Sequence, residues 1–328
     1  MAEEYKGRII LVPIGKAVKF IDGIIKSMRI VKGKATWIDI LKPTRNDLEF
    51  LKKQHKFHPI ILDELLHFSI RSRVEFYKTY LYLAYHLPIY DTNIKTSRRA
   101  EVDFLITKDT VITIHYEDLD AIENFQRAIS NNKHFKDRAT EDTGRLTYYL
   151  IQEILSSSMK QLRHIEENIS YITQEIFKHR EAEMLQKISY VKRDALDYSI
   201  ISRPQEIVLN SLADVGRKFW GEEARIYLND LTGDHYKIAQ YLENYHQVIE
   251  SLETTNSQLL SAKTNQVMQK FTVLAFLTFP VFLFTSLVSI DLIGQYVTGS
   301  PLRFWGIFFG VAITVIACLI LFRKKGWL

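Results

Sequence analysis

Asp291 is the residue whose setting first suggests chemistry. It follows 20 consecutive uncharged residues, Phe271 to Ile290, and precedes a second uncharged run of 19, Phe304 to Phe322. A carboxylate at the end of an apolar run attracts cations, and repeated around a symmetry axis it would form a negative ring. As a single solvated aspartate it would only cap a helix end. Asp230 and Asp234 offer oxygen ligands that could hold a divalent cation at a subunit contact, or could equally occupy the first turn of a helix. His58, Asp63, Glu64 and His67 have ligand types at helical spacing, but a solvated helix face accounts for them better than a metal centre. Cys318, the only cysteine, excludes an intrachain disulfide and reads as a small apolar filler. The chain has no G-x-G-x-x-G, Walker-type loop or H-E-x-x-H, and no nucleophile–base pair stands out. Neither an enzyme nor a cofactor is therefore expected. Tyr77 to Tyr90 reads as a half-buried strand rather than a base-stacking platform. A net charge of +5 over 328 residues, with no densely basic face, does not fit a nucleic-acid partner.

The elements that would position Asp291 are two membrane helices. Each uncharged run is long enough to cross a hydrocarbon layer of ~30 Å, and nothing before residue 271 is apolar enough to do so. Gly294, Gly299 and Pro301 lie in a connection too short to be a domain, so the two spans form a hairpin with both ends on one side. Lys263 and Lys270 precede the hairpin, and Arg323, Lys324 and Lys325 follow it. The connection itself holds only Asp291 and Arg303 as charges. The positive-inside rule then gives a multi-pass protein of the cell (inner) membrane with N- and C-termini cytoplasmic. The sequence MAEEYKGRIILVPIGK is a poor secretory signal, which agrees. Trp305 and Trp327 bracket the second span as interfacial anchors do.

Upstream, from Asp234 to Phe279, there is no Gly or Pro. Ile238, Leu242, Tyr245, Ile249, Leu252 and Leu259, with Asn256 sharing the seam, fall four and three residues apart, the spacing of helices packed along a long seam. One continuous helix over 234–290, roughly 85 Å long at ~1.5 Å per residue, is predicted. Residues 1–140 read as a cytoplasmic α/β domain. Strands are expected at Arg8–Val12, Ala35–Ile40 and within Val74–Tyr90, with a hairpin of Val102–Thr107 and Val111–Tyr116 about Lys108-Asp109. Thr44 is the expected N-cap of a helix and Ile60–Phe68 a second helix. From Thr143 the apolar spacing turns helical, with Glu183–Ile201 and Gln205–Gly216 as separate helices broken at Pro204. The division is 1–140, a helical domain over 141–270 with its stalk at 234–270, a pore-lining span at 271–290, an external loop at 291–303, a second span at 304–322 and a basic tail at 323–328.

Two helices per chain cannot enclose a water-filled path, so a pore needs several copies, each giving one helix to an inner ring. The first span suits that ring: it continues the stalk, and Thr272, Thr278, Thr285, Ser286 and Ser289 give it some polarity. The second span is uniformly apolar apart from Thr314 and suits lipid.

Thr264-Asn265-Gln266-Val267-Met268-Gln269-Lys270-Phe271-Thr272-Val273-Leu274, Pro280 within the span, the short outer connection, and Arg323-Lys324-Lys325-Gly326-Trp327-Leu328 together resemble the CorA family of divalent-metal transporters. Thr36-Trp37-Ile38-Asp39, His58-Pro59, Val74-Glu75-Phe76-Tyr77, Ile112-Thr113-Ile114-His115 and Tyr227-Leu228-Asn229-Asp230 extend the resemblance over nearly the whole chain. It implies an α+β cytoplasmic domain, long helices and a two-helix transmembrane hairpin assembled as a homopentameric funnel in the lipid bilayer. Family members pass Mg2+, Co2+ or Ni2+, and a related branch passes Zn2+; cytoplasmic Mg2+ between subunits holds the channels closed. Asp230 matches an acidic gating residue, with Asp234 nearby. The family's inward positions correspond to Met268, Phe271, Ala275, Phe279, Phe282 and Asp291, which implies a hydrophobic gate, and Arg323, Lys324 and Lys325 form a basic collar. The family's Gly-Met-Asn signature is replaced by Ser289-Ile290-Asp291, counting from Pro280. The leading expectation is divalent-cation passage. Its rivals are a zinc or nonselective cation pathway and a non-conducting scaffold or sensor that has lost the filter.

Overall fold

In a computed structural model of the chain, the described residues are 28–326 without His179 and without the side chains of Asp291 and Leu292. Arg8–Val12 and Trp327 lie outside them. The elements run β1 (Met28–Val31), β2 (Thr36–Leu41), α1 (Arg45–Gln54), α2 (Pro59–Glu64), β3 (Arg73–Phe76), β4 (Leu81–Asp91), β5 (Thr96–Ile106), β6 (Thr110–His115), α3 (Asp120–Asn131), α4 (Lys133–Ala139), α5 (Thr143–Glu175), α6 (Glu181–Trp220), α7 (Ala224–Val288), α8 (Asp291–Thr298) and α9 (Pro301–Lys324). The chain divides into two compact units, one of residues 1–173 and 187–250, the other of 174–186 and 251–328.

The first unit is built on one six-stranded sheet of order β1-β2-β6-β5-β4-β3. β2 and β6 are parallel and the other pairs antiparallel. Alternation along the strands sends Ile38, Ile40, Leu105, Ile112 and Ile114 to one face, where Leu48 and Leu51 of α1 and Ile61 and Leu62 of α2 cover them. Thr44 closes a capping box with Asp47 at the start of α1, which satisfies backbone donors at both ends of the motif. α2 is shorter than expected and stops at Glu64; His58 caps it, its Nδ1 accepting from the Ile60 N–H. Trp37 turns to the opposite face and meets Phe125 of α3 edge-on at 5.1 Å between centroids.

That face also holds a buried polar network. Thr113 Oγ1 donates to Asp39 Oδ1 at 2.6 Å and accepts from Trp37 Nε1 at 2.9 Å. His115 sits between Asp39 Oδ1, 3.1 Å from Nε2, and the Glu117 carbonyl, 2.7 Å from Nδ1. Burial opposes protonation, but the hydrogen bond and charge of Asp39 outweigh it, so the imidazole pKa is raised.

Next to it in the sheet, β5 buries two carboxyls two residues apart. Asp103 accepts from Tyr82 at 2.8 Å and from Tyr116 at 2.9 Å, and Glu101 accepts from the Ser69 N–H at 2.8 Å. Burial, then the neighbouring Glu101 charge, pushes Asp103 well above the usual carboxylate range. A raised acid stabilises the fold below its unfolded pKa of about 3.9 and loses that contribution as pH rises through the folded value. Asp103→Asn keeps the shape and one acceptor. It is expected to raise stability by about 1 kcal/mol at pH 8 and to change it little at pH 4, as read from thermal unfolding of the full chain at both pH values.

Two helix predictions are corrected. Pro204 does not break the chain into separate helices; it lies inside α6. The proline removes only the donor to the Ile200 carbonyl, and burial of Tyr198 before it and of Val208, Leu209 and Leu212 after it holds the helix together; Gln205 Nε2 also donates to the Ile201 carbonyl at 3.1 Å and His235 Nε2 to the Ser202 carbonyl at 3.0 Å. Gly233 likewise does not delay α7. The helix begins at Ala224, well before Asp234, because Leu228 and Leu231 are buried on one face and tie its first turns down. α7 then runs unbroken for 65 residues, about 100 Å at 1.5 Å per residue, through Pro280 to Val288.

In the second unit the connection between the two apolar helices is a helix, α8, rather than a loop, and α9 begins at Pro301 rather than Phe304. The turn into α8 depends on Gly294, where an added Cβ would lie 2.4 Å from the Val288 carbonyl oxygen. The Arg303 guanidinium stacks over Tyr296 at 4.6 Å, joining the end of α8 to the start of α9. Asn256, fully buried, donates to the Glu181 carbonyl at 3.1 Å, and Lys263 pairs with the Glu181 carboxylate at 2.7 Å.

Candidate functional site

Among the described residues, two helices are long and apolar enough to cross a membrane, α7 in its C-terminal part and α9, and their apolar windows are almost wholly unburied within the chain. Burial therefore does not explain their apolar character, as it would for core helices of a soluble protein.

Ring contacts settle which face of α7 meets α9. Phe276 stands 5.9 Å from Phe322, and Phe284 stands 5.9 Å from Phe304 and 6.1 Å from Phe308. Val273, one of the few buried residues of the span, belongs to the same face. At ~100° per residue, Val273, Phe276, Pro280 and Phe284 form one stripe, and Met268, Phe271, Ala275, Phe279, Phe282 and Ser289 form another roughly opposite it. Met268, Phe271, Phe279 and Phe282 are 59%, 63%, 59% and 69% exposed, so the chain itself leaves this stripe uncovered.

Four of the five hydroxyls expected to make the first span polar are spent on their own helix. Thr272 donates to the Met268 carbonyl at 2.9 Å, Thr278 to Ala275 at 3.2 Å, Thr285 to Phe282 at 2.9 Å and Ser289 to Thr285 at 2.9 Å. Such back-bonding satisfies a hydroxyl where water is scarce. The uncovered stripe is consequently aromatic and apolar from Met268 to Phe282, and Ser286 and Ser289 follow on it as exposed hydroxyl positions. Ile290 is the N-cap of α8 and Asp291 its first residue, so the Ser-Ile-Asp triplet occupies the corner between α7 and α8. At the other end of the hairpin, Arg323 and Lys324 close α9 and Lys325 is its C-cap, three exposed cations at the end where a helix favours positive charge.

Asp230 and Asp234 lie one turn apart on α7. Asp230 Oδ2 accepts from the Tyr148 hydroxyl at 2.7 Å, and Asp234 Oδ1 pairs with Lys237 at 2.8 Å. Burial and then the Asp230 hydrogen bond push the Tyr148 hydroxyl pKa up. Of the other ligand types, His58 is spent as the α2 cap and Glu64 pairs with Arg73. Among the described residues, no group of three or more His, Cys, Asp or Glu is placed to hold a metal ion.

The sequence reading singled out the uncovered face of α7 and missed the covered one. The four-residue spacing of Phe276, Pro280 and Phe284 is the signal that would have identified it.

Comparisons with known proteins point the same way. Residues 32–324 match the family described as CorA-like Mg2+ transporter protein. The chain is 24% identical over 298 residues to the cobalt/magnesium transport protein CorA of Thermotoga maritima, covering 89% of this chain and 83% of that protein. It is 21% identical to the protein of the same description from Methanocaldococcus jannaschii, over 98% of this chain and all of that one. In structure it is similar to the complete CorA magnesium transporter of Methanocaldococcus jannaschii, with a TM-score of 0.76 over 90% of this chain and 92% of that one, at 21% identity. The family is one of transporters, not enzymes. With its family model spanning the sheet domain, the long helices and the apolar hairpin, the chain belongs to the CorA-like Mg2+ transporter family.

Proposed function

We propose that the chain assembles as a homopentamer in the cell membrane and passes divalent cations, Mg2+ with Co2+ and Ni2+ as congeners, along a central path lined by α7. The observation that carries this reading is the uncovered stripe of α7 on the side away from α9. A helix that buries one face on its hairpin partner and leaves a continuous opposite face free is suited to an inner ring, with α9 towards lipid. Five copies would stack rings of Phe271, Phe279 and Phe282 above Met268, narrow apolar constrictions that gate by dewetting.

Asp291 is the outer cation ring in this reading, flanked by Ser289 and Ile290. Mg2+ gives up its waters reluctantly, so five carboxylates would gather hydrated cations at the mouth rather than strip them. Their charge would bind more strongly than the neutral oxygens of Gly-Met-Asn and discriminate less among divalents. Arg323, Lys324 and Lys325 form the inner collar, on the cytoplasmic side with both termini. Asp230 and Asp234 are the regulatory metal ligands: a cytoplasmic cation competes there with Tyr148 and Lys237 and holds the channel closed.

The test is divalent uptake into proteoliposomes by Asp291→Ala. Removing the ring is expected to lower uptake by roughly tenfold or more, the consequence of losing about 1.4 kcal/mol of cation attraction. Unchanged uptake by a verified pentamer would sink the filter role. A second reading, a non-conducting scaffold, is favoured by one observation: four of the five hydroxyls of the first span are turned onto their own helix, leaving a wall that is apolar from Met268 to Phe282.

A further inference from the structure

We propose that four cations at the end of the apolar hairpin, Lys270 of α7 with Arg323, Lys324 and Lys325 of α9, hold the phosphate of an anionic phospholipid whose chains lie on aliphatic side chains one turn further into the spans. From Thr254 to Leu328 the chain has six basic residues and a single acid, Asp291. Asp291 lies at the far end of the hairpin, roughly 30 Å from Lys270 at ~1.5 Å per residue. The other acids of the second unit are Glu175, Glu181, Glu183 and Glu253. Glu175 pairs with Lys178 at 2.6 Å and Arg180 at 3.8 Å, and Glu181 with Lys263 at 2.7 Å. Lys263 stands two turns before Lys270, about 10 Å further from the apolar run. Glu183 shares the first turn of α6 with Glu181, and Glu253 precedes Lys270 by roughly 25 Å along α7. Lys270, Arg323, Lys324 and Lys325 are exposed, and none of them is in an ion pair among the described residues.

The helices place these cations beside the hairpin. Phe276 of α7 meets Phe322 of α9 at 5.9 Å between centroids, which brings Lys270 and the end of α9 to one level. Lys270 precedes the buried Val273 by three residues, so it stands on the covered side of α7 and off the Phe stripe. Arg323, Lys324 and Lys325 follow Phe322 at steps of ~100°, so they fan round α9, and Lys324 falls nearly opposite α7. The basic collar therefore faces outwards from the hairpin. Along the Phe stripe the same charges would repel Mg2+.

The residue pattern selects the ligand. Each cation stands four residues from an exposed aliphatic side chain on the same helix face: Lys270 with Leu274, Arg323 with Leu319, Lys324 with Ile320 and Lys325 with Leu321. In all four pairs the aliphatic partner is the one nearer the middle of the span. Ammonium and guanidinium groups give phosphate oxygens charge-assisted hydrogen bonds, and basic clusters next to a span attract anionic headgroups. Inorganic phosphate uses only the cations, and a zwitterionic lipid brings its own cation to the phosphate. An anionic phospholipid uses both halves of every pair. The inner leaflet supplies it, given the cytoplasmic placement of both hairpin ends proposed above.

Native mass spectrometry of the full-length protein in neutral detergent reads the lipid-bound fraction during titration with phosphatidylglycerol, with phosphatidylcholine of the same acyl chains, or with inorganic phosphate. Phosphatidylglycerol is expected to bind tighter than either by roughly tenfold or more. Lys270→Gln and Lys324→Gln are each expected to weaken it by about fivefold, and each leaves three cations to keep the orientation of the hairpin. A variant with Lys52, Lys53 and Lys56 all changed to Gln, exposed cations of the first unit, loses more charge and keeps the affinity. An unchanged melting temperature in phosphatidylcholine shows that each variant is folded. Equal binding of the two lipids, full competition by phosphate at matching concentration, or affinity indifferent to Lys270→Gln and Lys324→Gln would overturn the proposal. Binding is read without ion flux, so a chain that passes no ion tests it equally well.

Discussion

Proteoliposomes carrying Phe282→Ser are expected to take up divalent cations at least about tenfold faster than those carrying the unaltered chain, equivalent to a barrier lowered by about 1.4 kcal/mol. Phe282 is 69% exposed in the chain and stands on the face of α7 away from α9. A serine there removes one aromatic ring per copy and lets water cross a constriction that an apolar wall keeps dry. Because the side chain makes no ring contact with α9, the hairpin itself should be unaffected. Phe284→Ser supplies the contrast. That ring packs between Phe304 and Phe308, so its loss is expected to lower the yield of folded protein without opening a path. The measurement is entry of Mg2+ read by an internal indicator dye. An unchanged rate for Phe282→Ser in a verified pentamer would show that this ring is not the barrier.

Asp39→Ala is expected to cost the first unit about 3–5 kcal/mol, the penalty for breaking a buried ion pair from one side. Asp39 is 1% exposed and is shared by Thr113, His115 and Arg29. The sign of the pH dependence should also reverse. In the unaltered chain the raised His115 pKa contributes stability that is fully present below about 6.5, the unfolded value, and is lost as pH rises through the folded one. Without Asp39, burial dominates and favours the neutral ring, so stability should instead fall as pH drops below about 6.5. Urea unfolding at pH 5.5 and 8, with hydrogen exchange of β2 and β6 as the local readout, measures both effects. A variant with unchanged stability at both pH values would contradict this account of the network.

Local signals made much of the fold legible. Thr44 with Asp47 announces the start of α1 because a capping box needs only four consecutive residues. Lys108-Asp109 between two β-branched runs gives the β5–β6 hairpin for the same reason. The two uncharged runs are evident from composition alone. The misreadings occur where a distant partner decides. Pro204 stays helical because α6 is packed down on both sides of it, with Tyr198 before and Val208, Leu209 and Leu212 after all buried. Gly233 stays helical because Leu228 and Leu231 are anchored by packing. Asp291 begins a helix because Gly294 lets the chain turn back against Val288.

The candidate sites divide in the same way. The Phe stripe of α7 was named through the family resemblance, and its steps of three and four within one element put it on a single face. The hydroxyls could be counted but not aimed, and four of the five proved to face their own backbone.

Transport itself is tested most directly by ion flux into proteoliposomes holding the purified, verified pentamer, comparing Mg2+, Co2+, Ni2+, Zn2+, Na+ and Cl−, with and without internal Mg2+. Entry of Mg2+, with Co2+ and Ni2+ following and Na+ and Cl− excluded, is the expected result, and internal Mg2+ should slow it. Flux of none of these ions under either condition would contradict divalent-cation passage and leave the Ser289-Ile290-Asp291 corner as the mark of a non-conducting scaffold.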